Sequence, residues 1–279
     1  MLLMNRLSLA KRSQIIQLLV EGNSLRSCSR IADVSLTTVI KLLVDVGQAC
    51  VKFHSRTVVK IQSKRIECDE QWSFIYAKEK NKPAHKPEAG DIWTWVAVDA
   101  DTKLIISWFV GPRNWQSANF FMNDLWRRVR NRVQLSTDGL NTYVEAVAET
   151  FGGKIDFAQL VKQYSKESTN KEGKLDKRER YIGAIKKVIS GNPDPRYITT
   201  AHIERQNLTT RMTNRRFTRQ VNAFSKKYDN HCYAVALNFV YYNFARIHRT
   251  LRVTPAMEAG LTKKPWKFED IANLVEEYN

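Results

Sequence analysis

The sequence predicts an α/β fold: a ribbon of strands and helices forming a mixed five-stranded sheet with flanking helices, preceded by an all-α segment. Three features predict it. Residues 8–46 repeat apolar side chains at helical spacing. Residues 66–110 are dense in β-branched and aromatic side chains. From residue 115 onward, helical and strand-like stretches alternate.

In order, Leu9, Ile15, Ile16, Leu18 and Leu19 form the stripe of a first helix, stopped by Gly22-Asn23. Ser24 suits the cap of a second helix over residues 24–32. Asp33-Val34-Ser35 forms the turn, and Ser35 caps a third helix reaching about Asp45. This is helix-turn-helix spacing, which points Thr37, Thr38 and Lys41 at a DNA major groove. Residues 51–65 read as a linker. Strands follow at 66–75, 92–100 and 104–110, separated by a Lys/Pro-rich loop at 78–90 and a turn at Asp101-Thr102-Lys103. Phe120, Phe121, Leu125, Trp126 and Val129 mark a helix over 115–130. A short strand ends at Asp138-Gly139, a helix covers 141–151, and another strand covers 156–162. Residues 163–198 are charged, contain the helix-breaking Gly191-Asn192-Pro193-Asp194-Pro195, and read as a partly mobile surface insert. Helices then cover residues 200–211, with a possible extension to Arg216, and 229–246. A tail from Leu251 ends in a helix over 268–278. The order β-β-β-α-β-α-β-α-α is that of ribonuclease-H-like domains. It divides the chain into 1–50 (helix-turn-helix), 51–65 (linker), 66–250 (catalytic domain with insert) and 251–279 (tail).

Charge narrows the function. The net charge is +17, carried as +8 over residues 1–65, −2 over 66–153, +10 over 154–231 and +1 beyond. Two basic zones flanking a neutral one suit a polyanion, foremost nucleic acid, placed by one zone and clamped by the other. Cys28, Cys50, Cys68 and Cys232 are scattered without zinc spacing, which predicts buried thiols in a reducing compartment. His54, His85, His231 and His248 lack partner spacing for metal. The start, MLLMNRLSLAKRSQ, has no signal-peptide pattern, and no apolar run reaches membrane length, so a cytoplasmic, nucleoid-associated protein without membrane contact is expected.

Three acids stand out. Asp69 lies inside the first strand, Asp138 ends the fourth, and Glu204 sits in the basic segment Ala201–Asn207. Three carboxylates from separate segments can hold a pair of Mg²⁺ or Mn²⁺ ions, which compensate the charge that develops when a phosphodiester is cleaved. Around Glu204, His202, Arg205, Gln206, Asn207, Arg211, Arg215, Arg216 and Arg219 are candidates for phosphate contact, with Arg211 and Arg215 close to the Glu204 face of a continued helix. Strand alternation puts Glu67 beside Asp69 as a supporting group and turns Glu70 away. Asp99 and Asp101 read as turn formers. Tyr233, Phe239, Tyr241, Tyr242 and Phe244 read as core.

The runs DEQW (Asp69–Trp72), STDG (Ser136–Gly139), HIERQN (His202–Asn207), RRFTRQVNAFSKK (Arg215–Lys227) and YNFARIHRTLRVTPAMEAG (Tyr242–Gly260) resemble DDE transposases of the insertion-sequence-one family over roughly residues 1–260. The resemblance implies a helix-turn-helix that binds terminal inverted repeats. It implies a ribonuclease-H-like domain using Mg²⁺ or Mn²⁺, with Asp69, Asp138 and Glu204 as catalytic carboxylates. It also implies double-stranded DNA as partner and a homo-oligomer that holds two ends together. The sequence departs from the family in the long separation of Asp138 and Glu204, filled by the basic insert. Two other functions fit the same residues: a captured, non-cutting DNA-binding regulator, and a ribonuclease-H-like nuclease or resolvase.

Overall fold

A computed structural model describes residues 7–165, 168–169, 175–176 and 180–278. Three helices come first. Helix α1 (Leu9–Val20) begins where Ser8 Oγ accepts from Lys11 N, and α2 (Leu25–Ala32) where Ser24 Oγ accepts from Ser27 N. Asp33, with φ 50°, ends α2 in the left-handed region. Ser35 Oγ then caps α3 (Leu36–Thr57) by accepting from Thr38 N. The axes of α2 and α3 differ by 111°. Helix α3 runs well past Asp45, into the segment read as linker. Val46, Ala49, Cys50 and Phe53 continue its buried stripe, and nothing before Val58 breaks it. Among the described residues, no single helix is long and apolar enough to cross a membrane.

The sheet follows. Strand β1 (Arg65–Ile75) pairs antiparallel with β2 (Gly90–Asp99), which pairs antiparallel with β3 (Ile105–Gly111). After α4 (Trp115–Arg128), β4 (Gln134–Asp138) lies parallel to β1. After α5 (Thr142–Phe151), β5 (Asp156–Ser165) lies parallel to β4. Two short strands, β6 (Ser168–Thr169) and β7 (Leu175–Asp176), pair with each other, and β8 (Arg180–Ser190) returns antiparallel along β5. The sheet order is β3-β2-β1-β4-β5-β8, six strands rather than the expected five. The added strand comes from the basic insert. Its Tyr181, Ile182, Ile185, Val188 and Ile189 have strand propensity that the surrounding charge obscured. Of the segment 163–198 expected to be partly mobile, residues 166–167, 170–174 and 177–179 lie outside those described, as do the first six residues and the last.

Side-chain alternation splits the sheet into two faces. Cys68, Trp95, Ala97 and Leu135 pack with Phe121 and Leu125 of α4 and with Tyr143, Ala146 and Val147 of α5. Val96, Val98, Ile105 and Val110 pack with Ile203 of α6 (Ala201–Thr213), with Phe217, and with Val235 and Phe239 of α7 (Tyr228–Val240). Helix α7 ends earlier than expected, in a wider π turn over Tyr241–Ala245. There the buried Asn243 side chain accepts from Ile105 N and donates to Ile105 O, both at 2.9 Å, standing in for a strand neighbour. Phe239, Tyr241, Tyr242 and Phe244 are buried, as read from their spacing, and so are Cys28, Cys50 and Cys68, whereas Tyr233 and Cys232 are only half-buried. A short α8 (Pro255–Glu258) leads to α9 (Phe268–Tyr278), which packs on α1 and α3. Arg12 Nη1 donates to Ala272 O at 3.3 Å and to Glu276 Oε1 at 2.8 Å.

Gly47 lets α3 and α7 meet closely. A Cβ there would collide with Tyr233 Cβ and lie 2.7 Å from Tyr233 Cα. Alanine gains up to about 1 kcal/mol in helix propensity, but the backbone shift needed costs about 1–3 kcal/mol. Gly47→Ala is therefore expected to lower the unfolding midpoint in urea. An unchanged or raised midpoint would show that the two helices can part without cost.

Candidate active site

The site is built on β1. Alternation sends Glu67, Asp69 and Gln71 to the α6 face, and each engages that helix. Glu67, only 2% exposed, accepts through Oε2 from the amides of His202 (2.8 Å) and Ile203 (3.1 Å). Its Oε1 lies 2.6 Å from His202 Nδ1. The carboxylate thus satisfies amides of the first helical turn that have no partner within the helix, at its positive end. Asp69 Oδ2 accepts from Asn207 Nδ2 at 2.7 Å, and Gln71 Nε2 donates to Asn207 O at 3.1 Å. Ile203, Gln206, Asn207 and Thr210 form the buried face of α6, at the spacing one side of a helix requires. Glu204, its side chain 42% exposed, is left beside the cavity.

Asp138 arrives from the neighbouring strand. Cys68 on β1 is level with Thr137 on β4, which puts Asp69 and Asp138 next to each other at the strand ends. Leu140 N donates to Asp138 Oδ1 at 3.1 Å. The long separation between Asp138 and Glu204 closes because β5 runs out beside β4 and β8 brings the chain back before α6. Asp69, Asp138 and Glu204 line one cavity of about 590 Å³, together with Arg113, Thr142, Lys162, Tyr164 and Thr200.

Within that cavity the acids divide unevenly. Asp69, Glu70 and Asp138 each offer an oxygen, and those oxygens lie within 4.8 Å of one another. Glu204 is held to the side, accepting from Thr200 Oγ1 at 2.5 Å and pairing with Lys162 Nζ at 2.7 Å. Glu70 corrects the sequence reading. It does leave β1 on the opposite face, but its buried carboxylate still joins the cluster, accepting from Arg113 Nε at 2.7 Å and from Tyr143 OH at 3.1 Å.

This crowding shifts the acids. Burial, then the charge of Asp138, raises Asp69 to about 6 against the opposing Glu70 amide and Lys162. Burial and the charges of Asp138 and Asp69 raise Glu70 to about 7, against Arg113. Burial also raises Asp138. Burial works the same way on Glu204, but the Lys162 ammonium and the Thr200 hydroxyl outweigh it, and its carboxyl sits below the usual range. The donor set is all oxygen and carries more negative charge than Arg113 and Lys162 offset, which suits a hard divalent cation.

The predicted nucleic-acid contacts separate. Thr37, Lys41, Arg205 and Arg219 are exposed. Thr38 is half-buried, its hydroxyl 2.8 Å from Ser35 Oγ. His202 is tied to Glu67. Asn207 is buried and spends its amide on Asp69, so it positions the acid rather than facing outward. Arg211 is half-buried, near enough to Arg219 and Asp69 for their charges to act on it. Helix α6 stops at Thr213, where Asn214 turns its side chain to Ala234 O and to Arg216 N. Arg215 therefore does not continue the Glu204 face. Arg216 is half-buried and donates to Ala223 O, lining a second cavity of about 520 Å³ between the N-terminal helices and residues 214–238. Arg113 and Lys162 escaped sequence reading, and no local signal marks them; sequence reading turns Glu70 away, because alternation splits the Asp69-Glu70 doublet between faces.

Glu67→Ala removes the acceptor for two amides and a ring nitrogen, and a loss of about 2–3 kcal/mol is expected from calorimetry, with Glu67→Gln intermediate. A loss within a few tenths would show that α6 docks without this contact. In metal-free buffer the raised carboxylates destabilise the fold as pH climbs from their unfolded values near 4 to about 7, because the folded state binds the extra protons. His54 and His231, held neutral by burial, act in the opposite sense below about 6.5, so the informative quantity is the difference from a variant. Asp69→Asn is expected to gain on wild type progressively as pH rises from about 4 and to melt roughly 5 °C higher near pH 8. A pH-independent difference would contradict the assigned shift.

No protein-family model matches this chain, and no curated protein does. Among solved structures it is similar to the Mos1 transposase paired-end complex with left transposon end, at 13% identity and a TM-score of 0.25, over 55% of this chain and 60% of that one. It is similar to the Mos1 strand transfer complex at 14% identity and a TM-score of 0.24, over 55% and 59%. It is similar to the piggyBac transposase synaptic complex with hairpin DNA at 12% identity and a TM-score of 0.42, over 96% and 70%. The chain spans about three fifths of the length of the Mos1 chains it matches. TM-scores this low establish neither a shared fold nor a shared chemistry.

Proposed function

We propose that this protein is a DNA transposase of the DDE type, with Asp69, Asp138 and Glu204 as its catalytic carboxylates. The observation that carries the reading is their convergence on one cavity from β1, β4 and α6, three segments far apart in sequence. The strand order β3-β2-β1-β4-β5 supports a ribonuclease-H-like catalytic domain, with β8 as an addition. The capped α2–turn–α3 unit, with Thr37 and Lys41 exposed, supports a helix-turn-helix that addresses the protein to element ends.

Asp69 and Asp138, with Glu204 or Glu70, are the residues that would hold Mg²⁺ or Mn²⁺, which when bound supplies charge compensation and an activated oxygen nucleophile for phosphodiester cleavage and strand transfer. The chain's own groups prepare this. Asn207 and the Glu70 amide orient Asp69, and Leu140 N orients Asp138. Lys162 holds Glu204 ionised at the cavity wall, and Arg113 partly balances Glu70 and Asp138 at 2.6 and 3.7 Å. Exposed Arg205 and Arg219, with Arg211, provide cations for the phosphate backbone on the basic side of the site.

Asp69→Asn, Asp138→Asn and Glu204→Gln should each reduce Mg²⁺-dependent cleavage and strand transfer of duplexes carrying the element's ends by roughly a hundredfold or more, with duplex affinity nearly unchanged. Gel assays on the same substrates read both. Activity retained in all three variants would end the assignment.

A further inference from the structure

The last two strands at one edge of the sheet, β5 and β8, carry a set of exposed apolar side chains that the proposed chemistry leaves unused. Tyr164 on β5 is 48% exposed and Tyr181 on β8 62%, with Ile182, Ile185 and Val188 also exposed. Tyr164 and Tyr181 are register partners, their rings meeting edge to face at 6.1 Å and 71°. An edge-to-face pair leaves a ring face open. The ladder is irregular between Gln163 and Tyr164, with Ile182 the extra residue on β8. Gly183 beside it has φ 157° and open space around it, so glycine serves the backbone there and not close packing. Such a bulge twists a strand and redirects its side chains. Tyr164 also lines the cavity that holds Asp69, Asp138, Lys162 and Glu204. Lys186 is exposed further along β8, in register with Leu160 and so on the Tyr164 face, its Nζ donating to Pro195 O at 2.5 Å.

An open aromatic face on the rim of an acid cavity, on a strand with lysines, suits a nucleobase on a charged backbone better than an apolar protein partner. Bases inside a duplex are covered on both faces, so the base that can stack here is unpaired. We propose that Tyr164, backed by Tyr181, stacks on an unpaired base of the strand whose phosphate lies over Asp69, Asp138 and Glu204. Lys186, on the same face of the sheet, lies along the path of that strand. This rests on the transposase reading of the acid cavity and adds to it a substrate feature: the strand is unpaired next to the reacting phosphate.

The test uses the full chain in metal-free buffer, where binding is read without cleavage. The probes are a duplex with a short single-stranded extension containing 2-aminopurine, and a blunt duplex of the same sequence. Wild type should bind the extended duplex more tightly and quench the 2-aminopurine. Tyr164→Ala should lose the quench and roughly tenfold in affinity for the extended duplex, with blunt-duplex affinity unchanged. Tyr164→Phe should keep both, and Tyr181→Ala should lose part of each. Being exposed, both positions tolerate substitution, and circular dichroism verifies the fold. Equal quench and affinity in wild type and Tyr164→Ala would overturn the proposal. So would a change in oligomeric state with the quench intact, which would assign the face to contact between copies. Failure of wild type to bind either duplex would instead remove the transposase reading beneath it, whereas cleavage lost in Asp69→Asn with Tyr164→Ala silent would remove only the stacking proposal.

Discussion

A buried carboxylate on β1, Glu67, accepts two amides at the start of α6 and sits 2.6 Å from the His202 ring. The placement of the third acid depends on that contact. An unpaired carboxylate in so dry a position would cost several kcal/mol, and unpaired amides at a buried helix end would add to it, so strand and helix stabilise each other. Gln71 and Asp69 then fix the helix further along through Asn207. Three residues on one face of one strand thereby set the distance and angle of a helix that is remote in sequence. Glu204, which points away from this contact, inherits its position from it.

The same strand carries the opposite kind of energetics two residues later. Asp69, Glu70 and Asp138 are packed closely, burial raises all three carboxyls, and the charge of Asp138 adds to the rise at Asp69 and Glu70. Arg113, shared between Glu70 and Asp138, and Lys162, paired with Glu204, relieve part of this. The fold tolerates the strain because the well-satisfied contacts of Glu67, Asn207 and Leu140 hold the geometry around it. Excess negative charge among oxygen donors at the ends of two adjacent parallel strands is what a cation would offset.

Around this centre the basic zones take distinct forms. The N-terminal zone is three capped helices whose core is continuous with that of the sheet, because α3 extends to Thr57 and packs on α7 and α9. The second zone includes β8, which lengthens the sheet next to the cavity, and the arginines after α6, which end in a short turn rather than a continued helix. The insert between Asp138 and Glu204 is thus structural in part: its return strand brings the chain back to where α6 begins.

Local pattern was enough for much of this. The serine caps at Ser24 and Ser35, the strands β1 to β5, the buried aromatics Phe239, Tyr241, Tyr242 and Phe244 and the candidacy of Asp69, Asp138 and Glu204 follow from side-chain periodicity and from acids standing in unusual company, all encoded within a few residues. Tertiary structure alone decided the rest. Strand alternation places Glu70 on the far side of β1, and only the arrival of Asp138 at the same strand end brings its carboxylate into the cluster. Lys162 is an ordinary strand lysine until β5 lies beside β4. Asn207 reads as a surface contact until α6 docks against Asp69, and β8 is masked by its own charges until β5 offers it an edge. The sequence by itself determined most of the helices, the strands through β5 and the candidacy of Asp69, Asp138 and Glu204, because those depend on near neighbours. Which groups meet at the cavity, and at what charge, was decided by packing, because proximity and burial belong to the assembled sheet and not to any one stretch of it.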